Sequence, residues 1–227
     1  MFYFDWTYLL IIPGMLLGLW AQYKVKHAYT EYSRIPTRVG RSAASVVDDL
    51  LRRNGNSKVS IGRVSGELTD HYNPSTETLN LSEGVYGSAS IAALGIAAHE
   101  AGHAMQKHDG YAPLQLRTAI VPAVNICSGL STPLFFLGLI MTWDVLTTLG
   151  IVLFAASTVF ALVTLPVEFN ASNRAVAMLV DGGYVSGEEE RGVRKVLNAA
   201  ALTYVAAAVT SMLSLLRLVL IANRRRD

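Results

Sequence analysis

Thr142-Trp143-Asp144 is all that separates two apolar stretches, residues 119–141 and 145–167. Each is long enough for the roughly 20 residues that carry a helix across a bilayer. The spacing therefore predicts two membrane helices joined in a tight antiparallel hairpin. Towards the amino terminus, residues 9–22 form a third apolar segment, with Trp6 and Tyr8 before it and Tyr23, Lys24 and Lys26 after it. Aromatic rings at one end and lysines at the other are membrane-interface anchors. Residues 1–5 carry no basic side chain and no Ala-x-Ala-like site follows, so residues 1–26 are expected to be an uncleaved signal anchor and not a cleaved signal peptide. A fourth apolar stretch, residues 199–222, is interrupted by Arg217 and closed by Arg224-Arg225-Arg226. Residues 199–227 are thus read as a helix that either spans the bilayer or lies in its interface with Arg217 snorkelling.

With 52% hydrophobic and 16% charged residues and a mean hydropathy of +0.35, the chain is too apolar for an ordinary soluble domain. Its net charge of +2 offers nothing to a nucleic acid, so no such partner is expected. The distribution of charge is more informative. Residues 24–117 hold eleven Lys and Arg and residues 174–195 hold four, whereas the amino terminus and the Thr142 turn hold none. By the positive-inside rule the two basic regions are expected on the cytoplasmic face of the membrane, with the amino terminus outside. The single cysteine, Cys127, lies in an apolar segment and reads as a core thiol.

Within the basic region lies His99-Glu100-Ala101-Gly102-His103. On a helix, residues four apart share a face, so His99 and His103 can hold one Zn²⁺ while Glu100 reaches a metal-activated water. The preceding run, Ser88 through Ala98, is small, largely apolar and free of proline, as a buried metal helix requires. Upstream, Ala43, Val46, Val47, Leu50 and Leu51 fall at helical spacing, and Asn54-Gly55-Asn56 ends that helix. Val59, Ile61 and Val64 alternate with polar residues as in a half-buried strand. Asn73-Pro74-Ser75-Thr76-Glu77 then reads as a turn between two short strands. Residues 27–117 are accordingly expected to be a small cytoplasmic α+β domain. Its last strand, Thr78-Leu79-Asn80-Leu81-Ser82, is expected at a sheet edge, where an extended peptide could add by backbone hydrogen bonds.

A catalytic zinc takes three protein ligands and keeps one position open. Asp109 lies six residues beyond His103, where an extended form of the motif places a ligand, but Gln106 stands where that form requires glycine. Glu168, at the end of the hairpin in Leu165-Pro166-Val167-Glu168-Phe169-Asn170-Ala171-Ser172, is the stronger candidate, because a carboxylate beside lipid needs a partner. His71, Tyr72 and Arg174 are candidates for stabilising an oxyanion.

Asp70-His71-Tyr72-Asn73-Pro74, Leu81-Ser82-Glu83-Gly84-Val85-Tyr86, Ala97 through Ala104 and Leu165 through Ser172 resemble the bacterial YugP-type membrane zinc metallopeptidases over nearly the whole chain. More distantly they resemble the HtpX-like and CAAX prenyl proteases, whose third zinc ligand is a downstream glutamate. The resemblance implies Glu168 as that ligand; Ser172 stands where the distant group has an aspartate, and Asn170 nearby is the candidate for orienting a ligand by hydrogen bonding. It implies a mainly α-helical membrane protein of three or four transmembrane helices with a zincin-like domain. Residues 118–168 form its transmembrane hairpin and residues 169–198 a cytoplasmic helical segment. The expected activity is zinc-dependent endopeptidase cleavage of a peptide or protein substrate, soluble or membrane-borne, with Glu100 as general base. The rival reading is a zinc-stabilised membrane scaffold without turnover. Glu100 argues against it, since a structural site needs no base.

Overall fold

The computed structural model describes residues 6–224. Residues 1–5 of the expected anchor and most of the basic tail therefore lie outside the described residues. A 3-10 turn, Trp6–Leu10, precedes α1 (Ile12–Tyr32) and α2 (Ala43–Arg53). Three strands follow, β1 (Ser60–Val64), β2 (His71–Asn73) and β3 (Thr78–Ser82). Then come α3 (Glu83–Tyr86), α4 (Ile91–His108), α5 (Ala112–Ile140), α6 (Asp144–Asp181) and α7 (Glu188–Asn223). The chain divides into two compact units, residues 1–22, 116–166 and 202–227 in one, and residues 23–115 and 167–201 in the other.

Among the described residues, four helices are long and apolar enough to cross a membrane: Trp6–Tyr32, Ala112–Ile140, Asp144–Asp181 and Glu188–Asn223. In the first unit the α5–α6 hairpin is as tight as its three-residue break suggests. Trp143 N–H donates to the carbonyl of Gly138 at 2.9 Å, and Thr142 between them adopts φ 54°, which closes α5 in the manner of a left-handed helix cap. The two helices then meet backbone to backbone. A Cβ on Gly150 would stand 2.6 Å from Phe135 N and 2.7 Å from its Cα. Gly150→Ala should therefore force the hairpin apart and cost about 2 kcal/mol, read as a lower thermal midpoint in detergent; an unchanged midpoint would mean that the helices tolerate a wider crossing.

The fourth apolar stretch runs antiparallel to α1. Gly14 abuts Thr210, whose Oγ1 would lie 2.7 Å from an added Cβ, and two turns further along α7 Arg217 Nε donates to Thr7 Oγ1, in the 3-10 turn before α1, at 3.2 Å. The same guanidinium lies 4.0 Å above the Tyr8 ring. An arginine in an apolar helix is thus satisfied by a hydroxyl and an aromatic face within the bundle. A Thr158–Ser211 hydroxyl pair at 2.8 Å joins α6 to α7.

The second unit carries the α+β elements. Ser42 caps α2, its hydroxyl accepting from Ser45 N–H, and Val46, Val47, Leu50 and Leu51 bury one face of that helix. The Asn73–Glu77 turn joins β2 and β3 as an antiparallel pair. The expectation that Thr78, Leu79, Asn80, Leu81 and Ser82 form an edge strand is overturned: the sheet order is β1-β3-β2, with β3 in the middle. β1 pairs with β3 in parallel, Ser60 opposite Thr78 through Val64 opposite Ser82, and occupies the side that a peptide would need. Leu79 and Leu81, on one face of β3, are fully buried in the core with residues of α2 and α4. Parallel pairing joins strands distant in the chain, and a period of two in one strand does not say which neighbours it takes.

Candidate metal centre

α4 begins at Ser90, whose Oγ accepts from Ala93 N–H at 3.2 Å, and ends at Asp109 before Gly110 turns left-handed at φ 66°. Between these caps, Ala92, Ala93, Ala97, Ala98, Ala101 and Ala104 are buried. Their small side chains let other helices approach closely. At Gly102 the neighbour is α6: a Cβ there would lie 2.5 Å from the carbonyl oxygen of Ala171. Contact at that distance sets the faces of α4 and α6 against each other and brings Glu168, only 2% exposed, beside the two histidines.

His99 and His103 stack edge to face, their ring centroids 4.8 Å apart. His99 Nε2 lies 3.3 Å from Glu168 Oε2, and His103 Nε2 lies 3.5 Å from the same oxygen. His99, His103 and Glu168 together form a cluster able to hold a metal ion. Four-coordinate zinc, with bonds of about 2.0–2.1 Å, places its ligand atoms roughly 3.3 Å apart. The two imidazole-to-carboxylate separations therefore match edges of a zinc tetrahedron, and the donor set, two nitrogens and one oxygen, is one that zinc takes. The Nδ1 atoms face away from the cluster, that of His99 at 3.1 Å from Ser172 Oγ and that of His103 at 3.0 Å from Gln106 Oε1.

Glu100 Oε2 accepts the backbone N–H of Tyr72 at 2.9 Å, which ties the carboxylate to β2. Burial pushes the Glu100 carboxyl above the usual carboxylate range, against the opposing pull of His99, His103 and that N–H.

The other sequence candidates lie outside the metal cluster. The His71 ring is held between the carbonyl of Thr69 at 2.9 Å and the Asn80 amide at 3.2 Å, on its own sheet. Tyr72 reaches Glu100 by its backbone while its side chain packs on the core, and burial, then Glu77, pushes its phenol up to about 12. Asn170 Oδ1 accepts from Gln106 Nε2 at 3.0 Å and from Arg174 Nε at 2.9 Å. Arg174 also pairs with Asp109, so Asp109 is engaged at the end of α4. Two residues that the sequence marked only as departures from related motifs, Gln106 and Ser172, hold the backs of the histidines. Gln106 had a visible signal, since it lies one turn beyond His103 on the same helical face.

Among the described residues, four span-length helices and a His-His-Glu cluster of zinc-like dimensions place the chain among membrane proteins able to hold a metal ion. Residues 7–223 match the family described as "putative neutral zinc metallopeptidase", and the chain belongs to that family. It is 46% identical over 218 residues, 96% of this chain and 97% of the relative, to the "putative membrane protease YugP" of Bacillus subtilis (strain 168). No solved structure matches the chain.

Proposed function

We propose that this protein is a membrane-embedded zinc endopeptidase, the reading carried by the two Nε2-to-Oε2 separations of 3.3 and 3.5 Å beside Glu100. His99, His103 and Glu168 would hold the ion. Zinc in such a site supplies Lewis acidity, which polarises a peptide carbonyl and makes a water acidic near neutral pH. Glu100 serves as general base: its carboxylate takes the proton of the attacking water and hands it to the leaving amine. Burial makes that carboxylate a better base than an exposed one, and the Tyr72 N–H keeps it in one orientation.

β2 takes over the substrate-binding role that the sequence suggested for Thr78–Ser82. It is an outer strand of the sheet, and its Tyr72 N–H leaves the sheet for Glu100, so its unpaired side borders the cluster. An extended segment of a peptide or protein substrate laid along that side would bring its backbone next to Glu100. The eleven basic residues of 24–117 favour the cytoplasmic face of a bacterial inner membrane for this chemistry.

Glu100→Gln tests the assignment, because it removes the base and keeps the metal ligands. The full-length protein should keep its zinc by elemental analysis and lose about 10²–10⁴-fold of its cleavage of a casein substrate. Full activity in this variant would sink the role of Glu100, and a wild-type protein that binds zinc without cleaving would favour the scaffold.

A further inference from the structure

We infer that Gln106 is a positioning residue that sets the proton of His103 and locks α4 to the helix carrying Glu168. The inference rests on the zinc reading above. Gln106 is completely buried, and its side chain spends every polar atom. Its Nε2 lies 2.8 Å from the backbone carbonyl of Val167 and 3.0 Å from Asn170 Oδ1. A backbone carbonyl can only accept, so the end of the amide facing Val167 is the NH₂ group. The end facing His103 Nδ1 is therefore the carbonyl oxygen, 3.0 Å away.

A carbonyl oxygen also only accepts, so His103 Nδ1 carries the hydrogen and Nε2 presents its lone pair. Nε2 is the atom 3.5 Å from Glu168 Oε2. The orientation of one buried amide thus decides which nitrogen of His103 can bind a metal. The Ser172 hydroxyl at His99 has no such authority, since a hydroxyl can donate or accept. The amide is held in turn from behind: Asn170 Oδ1 also accepts from Arg174 Nε at 2.9 Å, and Arg174 pairs with Asp109 at the foot of α4. The relay from His103 through Gln106, Asn170 and Arg174 to Asp109 begins and ends on α4 and crosses α6 between. Outer-shell partners of this kind act on metal affinity through ligand orientation and basicity.

The test uses the full-length protein in detergent, with zinc affinity measured by competition against a chelator and the thermal midpoint of the zinc-free protein measured alongside. Gln106→Met keeps the volume and removes both hydrogen-bonding ends. It should weaken zinc binding about 10–100-fold. Gln106→Glu keeps an acceptor for His103 Nδ1–H but sets an oxygen against the Val167 carbonyl. It should hold zinc within about 5-fold of wild type while the zinc-free midpoint falls, because only the cross-helix arm is broken. A residue that merely filled space would lower the midpoint in both variants and leave both affinities at the wild-type value, which overturns the inference. So would a Gln106→Glu loss as large as that of Gln106→Met. Asn170→Ala, which touches neither histidine, carries the question if Gln106→Met yields no folded protein: weaker zinc binding supports the relay, and wild-type affinity overturns it. A wild-type protein that binds no zinc would instead remove the zinc reading itself, an outcome distinguishable from all of these.

Discussion

Replacing Glu168 with alanine should empty the metal site. Glu168 Oε2 is the atom common to both imidazole-to-carboxylate separations, 3.3 Å to His99 Nε2 and 3.5 Å to His103 Nε2, and its loss leaves two imidazoles where a catalytic zinc takes three protein ligands. Removing a direct ligand should cost more than the 10–100-fold that outer-shell changes cost. The purified variant is expected to carry far less than one zinc per chain by elemental analysis, and to cleave no casein. Unchanged stoichiometry would redirect the search to Asp109, the other acid that the sequence placed within reach. Asp109 is, however, paired with Arg174, and freeing it for a metal would break that pair.

Gly102→Ala should unfold the site by a different route, through the backbone. The added Cβ would stand 2.5 Å from the Ala171 carbonyl oxygen, 3.1 Å from its carbon and 3.2 Å from its Cα. None of these atoms can rotate away as a side-chain end could, so α4 and α6 must part. Overpacking of this kind costs about 1–3 kcal/mol, and a purely backbone clash belongs at the upper end. Because His99 and His103 ride on α4 and Glu168 on α6, parting the helices also lengthens the ligand separations. The variant should therefore show a lower thermal midpoint when zinc-free and weaker zinc binding as well. Gly87→Ala is the matched control, with φ −93° and nothing within 4 Å of the new carbon, and is expected within about 0.5 kcal/mol of wild type. Equal midpoints in the two variants would refute the close crossing.

Both expectations bear on how the motif is understood. The glycine between Glu100 and His103 looks, in sequence, like one more small residue in a run of alanines. In the fold it is the point at which α4 meets α6, and a methyl group there separates the two halves of the donor set. The alanines do related work, since Ala98 and Ala101 flank the ligand positions and are fully buried.

Much of the architecture could be read from local patterns. The long apolar segments, the tight turn at Thr142, the helix that buries Val46, Val47, Leu50 and Leu51 and the β2–β3 hairpin each follow from composition and period within a short window. The sheet order could not, because β1 reaches β3 in parallel across the whole β2 hairpin, and nothing within Thr78–Ser82 records that neighbour. Nor could the course of α7: its antiparallel seat against α1 depends on Gly14 meeting Thr210 and Arg217 meeting Thr7 and Tyr8, residues some two hundred positions apart.

Helical periodicity alone was enough to put His99, Glu100 and His103 on one helix with the two imidazoles on a common face, since that is a property of 3.6 residues per turn. The composition of the long segments likewise announced a bilayer. Three further matters depended on the folded chain: the metal-sized gap between α4 and Glu168, the hydrogen bond from Tyr72 that orients Glu100, and the buried Gln106 that selects the nitrogen of His103. The first two are distances between elements separated in sequence, and the third depends on Val167 and Asn170, some sixty residues on, which fix the Gln106 amide from α6. No local periodicity encodes such a distance.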